Sequence, residues 1–287
     1  RLGLFTAACF RRHPFFRSYG VNMPSFLTTL LPLADAVRAA YTGEEDAQAR
    51  MWEALCAMRD SVREGMRPDL RSISGLTGGQ AAKIAPETAL GGKVLARASA
   101  IALAVAESNA AMGKIVAAPT AGACGILPGA LFAVAEEKGF GDEQLVDALF
   151  VAAGVGRVIA QRACISGAQG GCQAECGSAS AMAAAALVQL AEGEKAAMDS
   201  AIAFAMMNLM GLVCDPVKGL VEVPCVYRNV IGVANALTAA DMALAGIVSP
   251  IPADEAIDAM GRVGAMLPAA LRETGIGGCA ACKLRKD

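Results

Sequence analysis

Four stretches of the chain, residues 91–111, 178–191, 197–210 and 230–245, are dominated by alanine with Leu, Met, Ile and Val between. Such runs place helix formers at nearly every position and show none of the two-residue alternation that marks a strand. The best strand candidate, residues 220–224, is short and contains Pro224. The expected class is therefore all-α: a compact, Ala-rich helical domain whose Gly/Pro-rich loops converge on one site. Further helices are expected at 130–137, 143–165 and 254–266. Before them, Leu30, Leu31, Leu33, Val37 and Ala40, and then Met51, Leu55, Met58 and Val62, recur at three- and four-residue steps. That spacing predicts two amphipathic helices broken near Gly43. Residues 115–129 hold Pro119, Gly122, Gly125, Pro128 and Gly129, too many breakers for a regular element. We divide the chain into an N-terminal helical arm, 1–70, and a catalytic body, 71–287, packed as one unit.

At 287 residues with 55% hydrophobic side chains, the chain can bury a sizeable core. No apolar run reaches membrane-spanning length free of charges and turn residues. A formal charge of −2 and a single histidine, His13, leave no basic field for nucleic acid or an anionic membrane. The ten cysteines lie in helical or glycine-rich segments, with no secretory signal evident, which fits a reducing cytoplasm better than a disulfide framework.

Cys172, Cys214 and Cys225 form the chemically distinctive set. Gly and Pro punctuate the segments around them, where bends and exposed amides suit thiolates that bind iron. Their separations of 42 and 11 residues do not match compact ferredoxin-type runs. On spacing alone, buried cysteines acting as small hydrophobes remain the competing reading.

The words around these cysteines add more. Gly-Gly-Cys-Gln-Ala-Glu at 170–175, Gly-Leu-Val-Cys-Asp-Pro-Val at 211–217 and Val-Glu-Val-Pro-Cys-Val-Tyr-Arg-Asn at 221–229 resemble segments of the alpha subunit of bacterial iron–sulfur L-serine dehydratase. Residues 74–79, 107–113, 118–122, 234–246 and 271–278 are similar to that family in the same order. The resemblance covers about 70–280. It implies that Cys172, Cys214 and Cys225 hold a [4Fe-4S] cluster with one open iron, a Lewis acid for the β-hydroxyl of L-serine. It implies deamination to pyruvate and ammonia without pyridoxal phosphate. It also implies a hetero-oligomer, because the family's Ser-Ser-His-Thr type motif, carried by a beta subunit in two-chain members, is absent here.

Substrate recognition needs donors for a carboxylate. Ser74, Thr77, Gly78 and Gly79 form a glycine-flanked loop running into an apparent helix start at Gln80, Thr120 and Gly122 offer a second nest of amides, and Arg228 and Asn229 follow Cys225. The base candidates within the chain are Lys83 and Lys114, each of which needs a lowered pKa. Cys176 reads as a packed small residue, with ligation in place of Cys172 as the alternative, and Asp215 reads as a cap of the next turn or as a group that orients the surroundings of the cluster. Cys279 and Cys282 depart from the family pattern; such a pair reads as a redox couple, a metal clip or two incidental thiols, and one of them is a candidate for a displaceable fourth ligand. The alternatives to the serine enzyme are a related L-cysteine desulfidase or a non-enzymatic iron–sulfur sensor or assembly protein.

Overall fold

The structure, a computed structural model, describes residues 47–85 and 90–284. The expected helix around Leu30, the boundary-setting arm before residue 47 and His13 lie outside them. Nine helices run through the described residues: α1 Ala47–Gly65, α2 Gly92–Ala110, α3 Ile126–Lys138, α4 Asp142–Arg162, the single turn α5 Gly167–Gly170, α6 Ser178–Leu190, α7 Lys195–Leu209, α8 Cys225–Leu244 and α9 Ala253–Met266. No strand forms among them. The one extended pairing is an isolated parallel bridge between Cys214 and Arg272, and the strand candidate at 220–224 is a turn.

Helix α6 is the axis. Every residue of it except Gln189 is buried, and α3, α4, α7 and α8 pack around it. Alanine makes this possible, because a helix with methyl groups on most faces can be enclosed on all sides at close range. Helix α2 carries a similar run from Ala96 to Ala110 and packs against α1, α3 and α8. Helix α1 buries Met51, Leu55 and Met58, the face that its periodicity predicts, and Arg59 pairs with Asp142 at the start of α4. No helix of the described residues is long and apolar enough to cross a membrane.

Two helices start earlier than expected. Helix α3 begins at Ile126, with Pro128 in its first turn, where a missing N–H costs nothing because that donor has no intrahelical acceptor. Gly139 ends it at φ 77, donating its N–H to the carbonyl of Ala135. Helix α8 begins at Cys225, directly after Pro224. Cys225, Arg228 and Asn229 are thereby placed on one rigid helix rather than on a loop.

Candidate functional site

Three chain segments bring the cysteines together, and side chains from the same segments tie them. Cys172 follows Gly171, whose φ of 76 turns the chain, and leads into a π-helical turn, Gln173–Gly177, that runs straight into α6. The fully buried Gln173 fastens this turn to the segment bearing Cys214. Its backbone N–H donates to the Leu212 carbonyl at 2.9 Å, its Oε1 accepts from Gly211 N–H at 2.8 Å, and its Nε2 donates to the Gly170 carbonyl at 2.8 Å. Cys214 is held on both sides by the C-terminal segment: its N–H donates to Leu271 at 2.9 Å and its carbonyl accepts from Glu273 at 2.7 Å. At the head of α8, the carbonyl of Cys225 accepts from Asn229 Nδ2 at 2.9 Å. The same amide group donates to the Gly122 carbonyl at 2.8 Å, and Asn229 Oδ1 accepts from Gly125 N–H at 2.8 Å. Asn229 therefore clamps the 120–125 turn onto the Cys225 helix.

All three thiols are free and buried. Burial pushes the thiols of Cys214 and Cys225 well up, and the nearby Cys172 and Glu175 push the same way. Cys176 lies 3.4 Å from Cys172, sulfur to sulfur. That contact, with burial, raises the Cys176 thiol. Among the described residues no three His, Cys, Asp or Glu side chains close on a single metal ion. A cluster makes a different demand, since each thiolate binds a separate iron and the sulfurs stand apart.

Arg228 lies beside Cys172. Its Nη1 donates to the Val213 carbonyl at 2.7 Å, and Nη2 forms an ion pair of 2.8 Å with the buried Asp215. Burial opposes its charge, but Cys172 and Asp215 outweigh burial and hold the guanidinium above its ordinary value. The other oxygen of Asp215 accepts the backbone N–H of Cys279 at 2.6 Å, next to Gly278 at φ 62, where a Cβ would lie 2.2 Å from that carboxylate. Asp215 thus pins the C-terminal segment over the cysteines rather than capping a helix. Cys279 meets Asp215 with both its backbone N–H and its thiol, and Cys282 is exposed.

The group that sequence reading passed over is Glu175. It stands on the π-helical turn, three residues after Cys172, with part of its surface exposed. Its Oε1 accepts from Thr120 Oγ1 at 2.7 Å. Burial raises its carboxyl to about 7, with Thr120 and Arg228 pulling down and Glu273 pushing up. Two glycines make room for it. A Cβ at Gly122 would lie 3.1 Å from Oε1, and one at Gly167 would lie 2.7 Å from Oε2 and 2.8 Å from the Cys214 sulfur. The available signal was its place as an acid inside an otherwise small and apolar run.

The remaining sequence candidates fall elsewhere. The amides of Gly78, Gln80 and Ala81 do hold an anion, but it is the buried carboxylate of Glu107 on α2, at 3.0–3.3 Å. Gly79, at φ 69, turns the chain between them, where a Cβ would lie 2.4 Å from the Pro68 carbonyl oxygen. Ser72 and Thr77 donate to the buried Glu222, three residues before Cys225, with Thr77 at 2.9 Å. Burial opposes that carboxylate's charge, yet hydroxyls of Ser72, Ser74 and Thr77 hold it below its ordinary value. The expected helix at Gln80 is a short 3-10 turn, Ala81–Lys83. Lys83 and Lys114 are both exposed. The site therefore brings together Cys172, Cys214, Cys225, Thr120, Gly122, Arg228, Asn229 and Glu175, with the 74–79 loop fastened behind Glu222.

The serine dehydratase alpha chain family matches residues 23–280, a span that contains every segment of this site. The probable L-serine dehydratase alpha chain of Bacillus subtilis is 50% identical over 253 residues, covering 87% of this chain and 84% of that one. The L-serine dehydratase alpha chain of Peptoniphilus asaccharolyticus is 43% identical over 267 residues, 90% and 91% of the two chains. The L-serine dehydratase of Mycobacterium tuberculosis is 42% identical over 185 residues, which span 63% of this chain and 40% of that longer protein. Similarity of that extent, running through all three cysteine segments, places the chain in the serine dehydratase alpha chain family.

Proposed function

We propose that this chain is the alpha component of an L-serine dehydratase, converting L-serine to pyruvate and ammonia with a [4Fe-4S] cluster held by Cys172, Cys214 and Cys225. The observation that carries this reading is the convergence of three free, buried thiols from three segments around a partly exposed carboxylate, in a chain of this family. Thiolates are soft ligands suited to iron–sulfur clusters, and three of them leave one iron of four without a protein ligand. When bound, such a cluster supplies a Lewis acid for the leaving hydroxyl.

The chain's own residues prepare that chemistry. Arg228 sets a positive charge beside Cys172, held there by Asp215 and the Val213 carbonyl. Gln173 and Asn229 fix the relative positions of the three cysteine segments. Thr120 and Gly122, on the turn facing Glu175, are the substrate contacts we favour. The 74–79 loop and Asn229 act behind them, with their polar groups engaged by Glu222, Glu107 and the 120–125 turn. Loss of the α-proton and the β-hydroxyl gives aminoacrylate, whose imine tautomer takes up water and yields pyruvate and ammonia. Since Lys83 and Lys114 are exposed, we assign removal of the α-proton to a beta chain that completes the site.

The test is anaerobic reconstitution with iron and sulfide, followed by iron analysis and a pyruvate assay with and without the beta chain. Wild type should take up about four irons per chain and form pyruvate when the partner is added. Cys172→Ser, Cys214→Ser and Cys225→Ser should each lose iron and pyruvate formation together. Full iron retention in all three variants would overturn the ligand assignment, and a loaded complex that ignores serine would overturn the activity.

A further inference from the structure

We infer that Glu175 is the residue that binds the α-ammonium group of the substrate, and that it therefore sets the site's preference for an amino acid over the corresponding hydroxy acid. The inference rests on the serine reading above and adds a recognition role to it.

Three observations carry it. First, Glu175 is placed, not adventitious: Oε1 is fixed by the Thr120 hydroxyl at 2.7 Å, and the glycines at 122 and 167 leave its carboxylate room that a methyl group would take. Second, its other oxygen, Oε2, has no hydrogen-bond partner among the described residues, and it lies on the Cys214 side of the site: a Cβ at Gly167 would be under 3 Å from both Oε2 and the Cys214 sulfur. Third, among the described residues no lysine or arginine forms an ion pair with it. Arg228, the guanidinium nearest in effect, is occupied by Asp215 and the Val213 carbonyl. A partly exposed carboxylate in this position, with one acceptor atom unused, has a place for a cationic partner.

L-serine has one cation to offer. Its carboxylate and hydroxyl are repelled by Glu175 or directed elsewhere, whereas an ammonium donates to Oε2 and neutralises the charge in one contact. The two ends of the substrate are thereby separated, with the amine at Glu175 and the hydroxyl toward the cysteines.

The experiment compares two ligands on two proteins. The iron-loaded chain with its beta partner is mixed with L-serine or with 3-hydroxypropanoate, which keeps the carboxylate and β-hydroxyl and lacks the ammonium. Samples are frozen before turnover and the paramagnetic resonance of the reduced cluster is titrated. Glu175→Gln should weaken the L-serine response by roughly 10- to 100-fold, the range for a charged hydrogen bond, and leave 3-hydroxypropanoate within about threefold. Glu175→Asp, which keeps the charge, should fall between, and it carries the same comparison if the amide variant loses iron. Equal weakening of both ligands would overturn the assignment and reduce Glu175 to a structural role. Unchanged serine affinity with pyruvate formation lost would overturn it in favour of a proton-transfer role. A wild-type signal that ignores both ligands would remove the serine reading itself, and this assignment with it.

Discussion

The carboxylate of Glu107 accepts the backbone N–H of Gly78 at 3.0 Å, and with Gln80 and Ala81 it fills the nest of amides that the 74–83 sequence offers to an anion. The chain supplies its own anion from α2, 29 residues away. Since Glu107 has no exposed surface, Glu107→Ala leaves three donors without their acceptor and is expected to cost roughly 3 kcal/mol. Glu107→Gln keeps an acceptor oxygen and should cost less. Urea denaturation of both variants checks this, and equal losses would show that the nest does not depend on charge.

That pairing marks where sequence reading stops. The helices were legible because Ala, Leu and Met recur on faces that must be buried, and α6 and α9 fall within one residue of the expected bounds. The start of α8 was not legible, because Gly219 and Pro224 punctuate the chain without saying that the proline is the last residue before a helix. The cysteine set was readable through a resemblance, whereas its spacing alone left packing thiols open. Glu175 was missed because the π-helical turn changes which face follows Cys172, a feature with no spacing signature. Thr77 and Glu222 lie 145 positions apart, so only the fold shows that the loop's hydroxyls are already engaged.

Glu175 also gives the iron-free chain a pH signature. Its carboxyl is raised from 4.5 to about 7 by burial, so between those values the folded chain keeps a proton that the unfolded chain releases. The folded state binds more protons, and its stability falls as pH rises through that window. At about 1.4 kcal/mol per pH unit, the loss by pH 8 is roughly 3 kcal/mol. Glu175→Gln should flatten this part of the profile and be the more stable protein at pH 8. Glu273 and Asp199 are raised by burial too, so the informative quantity is the difference between wild type and variant in urea melts at pH 5 and pH 8. A difference that does not change with pH would contradict the environment described for Glu175.

Gly167 offers a test of crowding at the cysteines. It lies in a helical turn that alanine can adopt, so the effect of Gly167→Ala comes from contacts alone, 2.7 Å to Glu175 and 2.8 Å to the Cys214 sulfur. Cys214 is anchored on both sides by Leu271 and Glu273 and cannot move away freely. Overpacking of this kind costs about 1–3 kcal/mol, and iron retention should fall with it. Gly139→Ala is the control: it strains a left-handed residue at φ 77 with open space around it. That variant should lose about 1 kcal/mol and keep its iron. Iron analysis beside thermal melts separates the two, and equal iron in both would show that the sulfur of Cys214 has room to shift.

Asp215 joins two jobs in one buried carboxylate, pairing with Arg228 at 2.8 Å and holding the backbone of Cys279 at 2.6 Å. Asp215→Ala strips the guanidinium of its partner in a site where only 15% of its side chain is exposed, a change expected to cost roughly 3 kcal/mol. The same substitution releases the 277–282 turn from the Cys214 segment, to which Asp215 ties it directly. Limited proteolysis should therefore cut the variant within this turn faster than wild type, at a protease level that leaves α2 and α6 intact. Asp215→Asn divides the two jobs, because an amide oxygen still accepts from the Cys279 N–H but no longer neutralises Arg228. It should protect the turn like wild type while losing stability like the alanine variant. If both variants are cut at the wild-type rate, contacts other than that of Asp215 hold the C-terminal segment.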